Sequence, residues 1–244
     1  MDVHCAPRSS IGPVLPPRVD TLLFSPAGVF YDDSHFVRWL VQQLNRLGVQ
    51  ANLASFTCLL HRETLRAAYV GQMEFGAALG RLLAEIGIAR AQRGEIELAC
   101  QSRVRQCDEQ LRLLPGVATA IEQLSASGLR LAVVMNTHDA EPRVERRLER
   151  LGLTHYFQAV IGSRELGEAL PEESAFTAAL ERLERPAATV GFVSSCPFEL
   201  QAAADLRLSA IGLNCVLERP AVGAIGRLSE LVGAMEQRRW RLAA

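Results

Sequence analysis

From Leu114 to Leu213 the chain alternates short apolar runs with helical stretches, and this rhythm constrains the fold more than any other feature. Leu129 to Met135 is apolar and rich in β-branched residues, and a helix follows around Arg143 to Leu151. A strand is predicted near Ala159 to Ile161, then a helix from Pro171 to Leu183 and a strand from Thr189 to Val193. A helix from Glu199 to Leu206 and a final strand from Ala210 to Leu213 complete the series. Short apolar runs bounded by turn residues read as buried strands. Helical crossovers between them require right-handed βαβ units on a parallel sheet. Val19 to Phe24 is another such run, stopped by Ser25-Pro26-Ala27-Gly28. Ligands of such sheets bind beyond the carboxyl ends of the strands, at the switch point. The positions to inspect are therefore Ser25, Met135-Asn136 and Ser194-Ser195-Cys196.

Between the first strand and Leu114 the pattern is helical throughout. Ser34 is placed to cap a helix with Phe36, Val37, Leu40, Val41, Leu44 and Leu47 on one face, closed by Gly48. Phe75, Leu79, Leu82, Leu83 and Ile86 repeat at helical spacing further on. The expected organisation is a loose leader (1–18), an α/β core (19–32 and 114–244) and an inserted α-helical domain (33–113). A chain of 244 residues can bury one substantial core and a smaller second one.

Composition narrows the function classes. The formal net charge of -1 offers no basic field for nucleic acid, and 49% hydrophobic residues suit a soluble globular chain. No apolar run approaches a membrane span, and the leader lacks the apolar segment of a signal peptide. The six cysteines are scattered without CxxC spacing, which fits free thiols in a reducing cytoplasm. All 26 basic residues are arginine, so no lysine chemistry is available.

Four motifs in order resemble those of the haloacid dehalogenase-like (HAD) hydrolases, most closely the dehalogenase branch. Family members begin with an apolar strand ending Asp-x-(Asp/Tyr)-Gly-(Thr/Val), and here the stretch is Phe24-Ser25-Pro26-Ala27-Gly28-Val29. A Pro-Gly-Val helix start follows their helical cap, matched by Pro115-Gly116-Val117, and then a strand ending Ser-Asn or Thr-Asn, matched by Met135-Asn136-Thr137. Leu170-Pro171-Glu172-Glu173 stands in place of Lys-Pro-Asp-Pro, and Phe192 to Glu199 resembles Phe-Val-Ser-Ser-Asn-x-x-Asp. The likeness runs from about Val19 to Met235 and implies a Rossmann-like parallel-sheet core with an inserted α-helical cap.

The resemblance implies a chemistry whose reacting groups are replaced. The family's first Asp is the nucleophile, its second carboxylate the acid and base, its Lys a charge neutraliser, and Mg²⁺ sits among the acids. Ser25, Ala27 and Leu170 occupy the first three places, while Cys196 and Glu199 replace Asn and Asp. Only Asn136 and the Ser194-Ser195 pair keep the family's polar side chains. Losing a nucleophile from a cooperative site costs on the order of a million-fold in rate. Neither the phosphatase nor the dehalogenase reaction is expected, no cofactor is expected, and no metal site is assigned.

The first expectation is a non-catalytic family member that binds a small molecule or protein partner in the cap–core cleft. A homodimer is left open. The alternative is repurposed chemistry, with Ser25 as nucleophile, His138 as base and Glu199 as orienter, or with a low-pKa thiol at Cys196. Arg164 is a candidate to supply the positive charge missing at Leu170, against the plainer reading of a surface arginine. Trp39 is expected inside the cap, Arg62 and Arg66 on its solvated face or toward an anionic ligand. Arg207 stands at a helix end usually given to glycine, which predicts an altered loop.

Overall fold

The computed structural model describes residues 15–16, 18–215 and 222–235. Most of the predicted leader, Cys5 included, lies outside the described residues. Leu15, at its end, is buried in the core rather than loose.

Six parallel strands form one sheet in the order β3-β2-β1-β4-β5-β6. They are β1 (Thr21–Phe24), β2 (Arg130–Met135), β3 (Phe157–Gly162), β4 (Val190–Ser194), β5 (Ser209–Leu213) and β6 (Val222–Ile225). Both faces are covered, and the strands sort their side chains with period two. Leu22, Phe24, Leu131, Val133 and Met135 enter one core with Val117, Ile121 and Leu124 of α6 (Val117–Ala126) and Val144 and Leu148 of α7 (Glu141–Arg150). A short α8 (Ser163–Leu166) follows β3. Leu23, Ala132, Val134, Phe192 and Ala210 enter the other core, against Phe176 and Ala179 of α9 (Glu173–Leu183) and Leu200 and Ala203 of α10 (Pro197–Asp205). The sequence pattern predicts no strand beyond β5; β6 extends the sheet by one strand.

The insertion is all helical, with its own apolar centre. It runs through α1 (Ser34–Arg46), α2 (Leu53–Leu59), a π-helical turn (Leu60–Thr64), α3 (Arg66–Tyr69), α4 (Phe75–Glu85) and α5 (Arg90–Glu109). Leu40, Leu44, Leu60, Leu79 and Leu83 meet at its core, with Trp39 packed against it. The cap of α1 lies one residue earlier than predicted: Asp33 is the N-cap and Ser34 the first helical residue, its N–H bonded to Asp32 Oδ1 at 2.9 Å.

The insertion leaves and rejoins the core side by side. Tyr31 bridges Leu113, and Leu114 N–H donates to Phe30 O at 2.8 Å. Half-buried Arg147 on α7 holds this junction by pairing with Asp108 at the end of α5 and with Asp139 after β2. Arg207 keeps a left-handed backbone, φ 64°, so the altered loop expected there does not occur.

Candidate functional site

Because β1 lies between β2 and β4, the carboxyl ends of these three strands converge where the strand order turns. Ser25 continues β1 by one residue, its N–H donating to Val193 O at 2.9 Å, and it is buried. The loop after it closes through Gly28 N–H to Tyr31 O at 2.8 Å. Gly28 has φ 68°, and a Cβ there would collide with Ser195 Oγ. Ser195 Oγ in turn donates to Ala27 O at 3.0 Å, so the Ser194-Ser195 turn braces the Ser25 loop.

Ser25, Ser194 and Glu199 meet at the floor. Glu199, in the first turn of α10, is bonded to Ser194 Oγ at 2.7 Å and also to the Ser25 side chain. Ser194 Oγ accepts from Cys196 N–H at 2.9 Å, so its own proton goes to Glu199. Burial pushes the Glu199 carboxyl above the ordinary carboxylate range; the hydrogen bonds from Ser194 and Ser25 pull it back, and the nearby Asp33 charge raises it further. This floor is small, polar and poor in charge.

Asn136 and Leu170 are joined across the mouth between β2 and α9. Asn136 Nδ2 donates to Leu170 O and Leu170 N–H donates to Asn136 Oδ1, both at 2.8 Å. The Leu170 side chain is only 6% exposed and belongs to the core cluster beneath the sheet. It fills its place with apolar contacts and supplies no charge.

Other predicted residues go elsewhere. His138 stacks on Phe75 of the cap, ring centroids 4.3 Å apart, and lines a groove of about 380 Å³ with Arg143, Arg146 and Arg164. No hydrogen bond between His138 and Ser25 occurs among the described residues; the side-chain partner of Ser25 is Glu199. Arg164 donates to His138 O at 2.8 Å and pairs with Glu74 of the cap at 3.2 Å, so it does not stand in for the lysine. The Cys196 thiol is pushed up to about 11, chiefly by burial and then by Glu199, the reverse of an activated thiol. Arg62 and Arg66 both reach the core, Arg62 over the Phe198 ring at 4.1 Å and Arg66 to Glu172 at 3.5 Å.

The donors do not fit magnesium. A hard cation needs several oxygen ligands, but Ala27 and Cys196 offer no side-chain oxygen and Glu199 is spent on two hydroxyls. Among the described residues no three His, Cys, Asp or Glu side chains gather to hold a metal.

Three further polar groups lie outside the strand-end motifs. His61 Nδ1 lies 2.6 Å from the Tyr69 hydroxyl, and Asp33 is within electrostatic reach of both and of Glu199. The doubled acid Asp32-Asp33 was visible in the sequence; the His61–Tyr69 pairing joins the π-helical turn to α3, a break in the helix that the sequence does not mark.

A parallel sheet with an inserted helical cap and a site at three strand ends defines a capped α/β hydrolase scaffold. The chain belongs to the haloacid dehalogenase-like hydrolases, whose sequence model matches residues 27–207. Its fold is similar to the L-2-haloacid dehalogenase of Xanthobacter autotrophicus, with TM-score 0.64, 16% identity, and 89% of this chain and 98% of that one covered. It is likewise similar to a 2-haloacid dehalogenase of Pseudomonas syringae pv. tomato, with TM-score 0.60, 19% identity, and coverage of 91% and 99%. A ribulose-1,5-bisphosphate 5-phosphatase of Halopiger xanaduensis is 32% identical over 114 residues, 46% of this chain and 45% of its own length. The chain thus matches about half the length of that relative. Among the described residues no helix is long and apolar enough to cross a membrane.

Proposed function

We propose that this family member binds a small molecule or a protein partner between cap and core without hydrolysing it. The observation that carries this reading is the hydrogen-bonded Ser25–Glu199–Ser194 floor, where a hydroxyl replaces the family's nucleophile and the one carboxyl resists ionisation. Leu170 fills the lysine position from the core and the donors are wrong for magnesium, so the protein acts without that ion. Its setting in this reading is the cytoplasm, where free thiols such as Cys58 persist, and nucleic acid is not a partner. The test is reversal. Ser25→Asp, Ala27→Asp and Leu170→Lys together should confer magnesium-dependent release of phosphate from 4-nitrophenyl phosphate. A well-folded triple variant without activity would show that more than the reacting groups has changed.

One observation favours a second reading, repurposed catalysis. The Ser25 hydroxyl is hydrogen-bonded to a carboxyl whose pKa is raised by burial, which makes that carboxyl a stronger general base for the hydroxyl. On this reading Ser25→Ala abolishes a turnover that wild type shows, and Glu199 rather than His138 is the base.

A further inference from the structure

A groove of about 450 Å³ runs along the cap between α4 and the first turns of α5. Its walls come from these two helices alone, whereas the cap meets the core through Arg62, Arg66, Glu74 and Phe75. The groove is therefore separate from the cleft over Ser25. Small residues keep it open: Ala77, Gly80 and Ala84 recur three and four apart and so share one face of α4. Glu97 of α5 lies against Gly80, where a Cβ would come within 2.6 Å of its Oε1. Three arginines complete the lining, Arg81 on α4 with Arg90 and Arg93 on α5.

These guanidiniums differ from those at the cap–core rim. There Arg62 lies over Phe198, Arg66 pairs with Glu172 and Arg164 with Glu74. Arg81, Arg90 and Arg93 have no ion-pair partner among the described residues. The Nε of Arg93 is buried and lacks a hydrogen-bond partner there as well. Burying an N–H without a partner is unfavourable, so the Arg93 side chain gains by swinging onto an acceptor in the groove.

Charge and size select that acceptor. Three guanidiniums against the one carboxylate of Glu97 leave the lining a formal charge of +2, and arginine does not lose its proton. A phosphate monoester carries about -1.5 to -2 and three acceptor oxygens. Guanidinium forks pair with such oxygens two at a time. The volume is that of a small-molecule site.

We propose that Arg81, Arg90 and Arg93 form a second ligand site on the cap, for the phosphate group of a small molecule. The site holds whether or not the cleft hydrolyses anything.

The experiment uses the full chain with ¹⁵N-labelled arginine, titrated with inorganic phosphate and separately with glycerol 3-phosphate, with sodium chloride at matched ionic strength as the blank. Both phosphates are expected to shift the Arg93 Nε resonance, assigned from Arg93→Lys. Either order of affinity supports the site and tells whether free phosphate or its ester is the better ligand. Arg81→Gln and Arg90→Gln should each weaken binding about tenfold, close to the share of one hydrogen bond to a charged group at an exposed place. Arg227→Gln, which removes an exposed charge from the core domain, should leave it unchanged. Circular dichroism checks that the variants stay folded. The proposal is overturned if neither phosphate shifts Arg93 beyond the sodium chloride blank, if Arg81→Gln and Arg90→Gln bind as wild type does, or if Arg227→Gln weakens binding as much as they do.

Discussion

Asn136 and Leu170 exchange two hydrogen bonds, side-chain amide to backbone amide, both at 2.8 Å. The family-like asparagine at the end of β2 thereby holds the backbone of the residue that replaces the family's lysine. Its role here is positional. It fixes the loop leading into α9 and keeps Leu170 pressed into the core.

Asn136→Ala leaves the Leu170 N–H and C=O without their partners in a half-buried place. An unsatisfied group of this kind costs about 1–3 kcal/mol. Urea unfolding should show a loss of that size with an unchanged m value. A loss under about 0.3 kcal/mol would mean that the pair does not hold the loop.

Glu199→Gln tests the charge state of the floor. The folded-state pKa of Glu199 is raised, so its stabilising contribution is complete below the unfolded value of about 4.3 and is lost as pH rises through the folded value. Glutamine mimics the protonated carboxyl and does not titrate. The variant should gain stability relative to wild type as pH rises from 4 toward 8, read as the difference between melting curves (about pH 4 to 8). A difference that shrinks with rising pH would place Glu199 ionised in the folded protein.

Gly28→Ala should cost about 2–4 kcal/mol, from the positive φ and from the collision with Ser195 Oγ. Gly128→Ala is the control, since Gly128 also has positive φ, 87°, but open space around its Cβ position. It should cost about 1–2 kcal/mol. Equal losses in thermal unfolding would show that the Ser195 contact is unimportant.

Cys196 should react slowly with thiol reagents at pH 8, because burial lifts its pKa to about 11 and keeps it a thiol. Exposed Cys58 should be modified first. Peptide mapping after brief iodoacetamide treatment decides the order, and early labelling of Cys196 would restore it as a candidate nucleophile.

The strand ends were legible because the buried strands β1, β2 and β4 announce themselves as apolar runs cut off by turn residues. Strand β6 was not, since Val222-Gly223-Ala224-Ile225 is short and rich in small residues, and its pairing with β5 makes it a strand. At the site, the identities of Ser25, Asn136 and Glu199 could be read from the motifs, but their bonds could not. His138 stood at the right strand end, yet its ring is captured by Phe75 from the cap, a contact no local pattern encodes. The His61–Tyr69 pair was invisible for a similar reason: it joins the π-helical turn to α3, and neither element has a sequence period that marks it.

Phosphate release by the wild-type chain decides whether the cleft still carries the family's reaction. Wild type and Ser25→Ala should be assayed with magnesium on 4-nitrophenyl phosphate and on ribulose 1,5-bisphosphate, the ester named for the Halopiger xanaduensis relative. No release above background is expected from either protein. Magnesium-dependent release by wild type that Ser25→Ala abolishes would show a working hydrolase with Ser25 in its machinery.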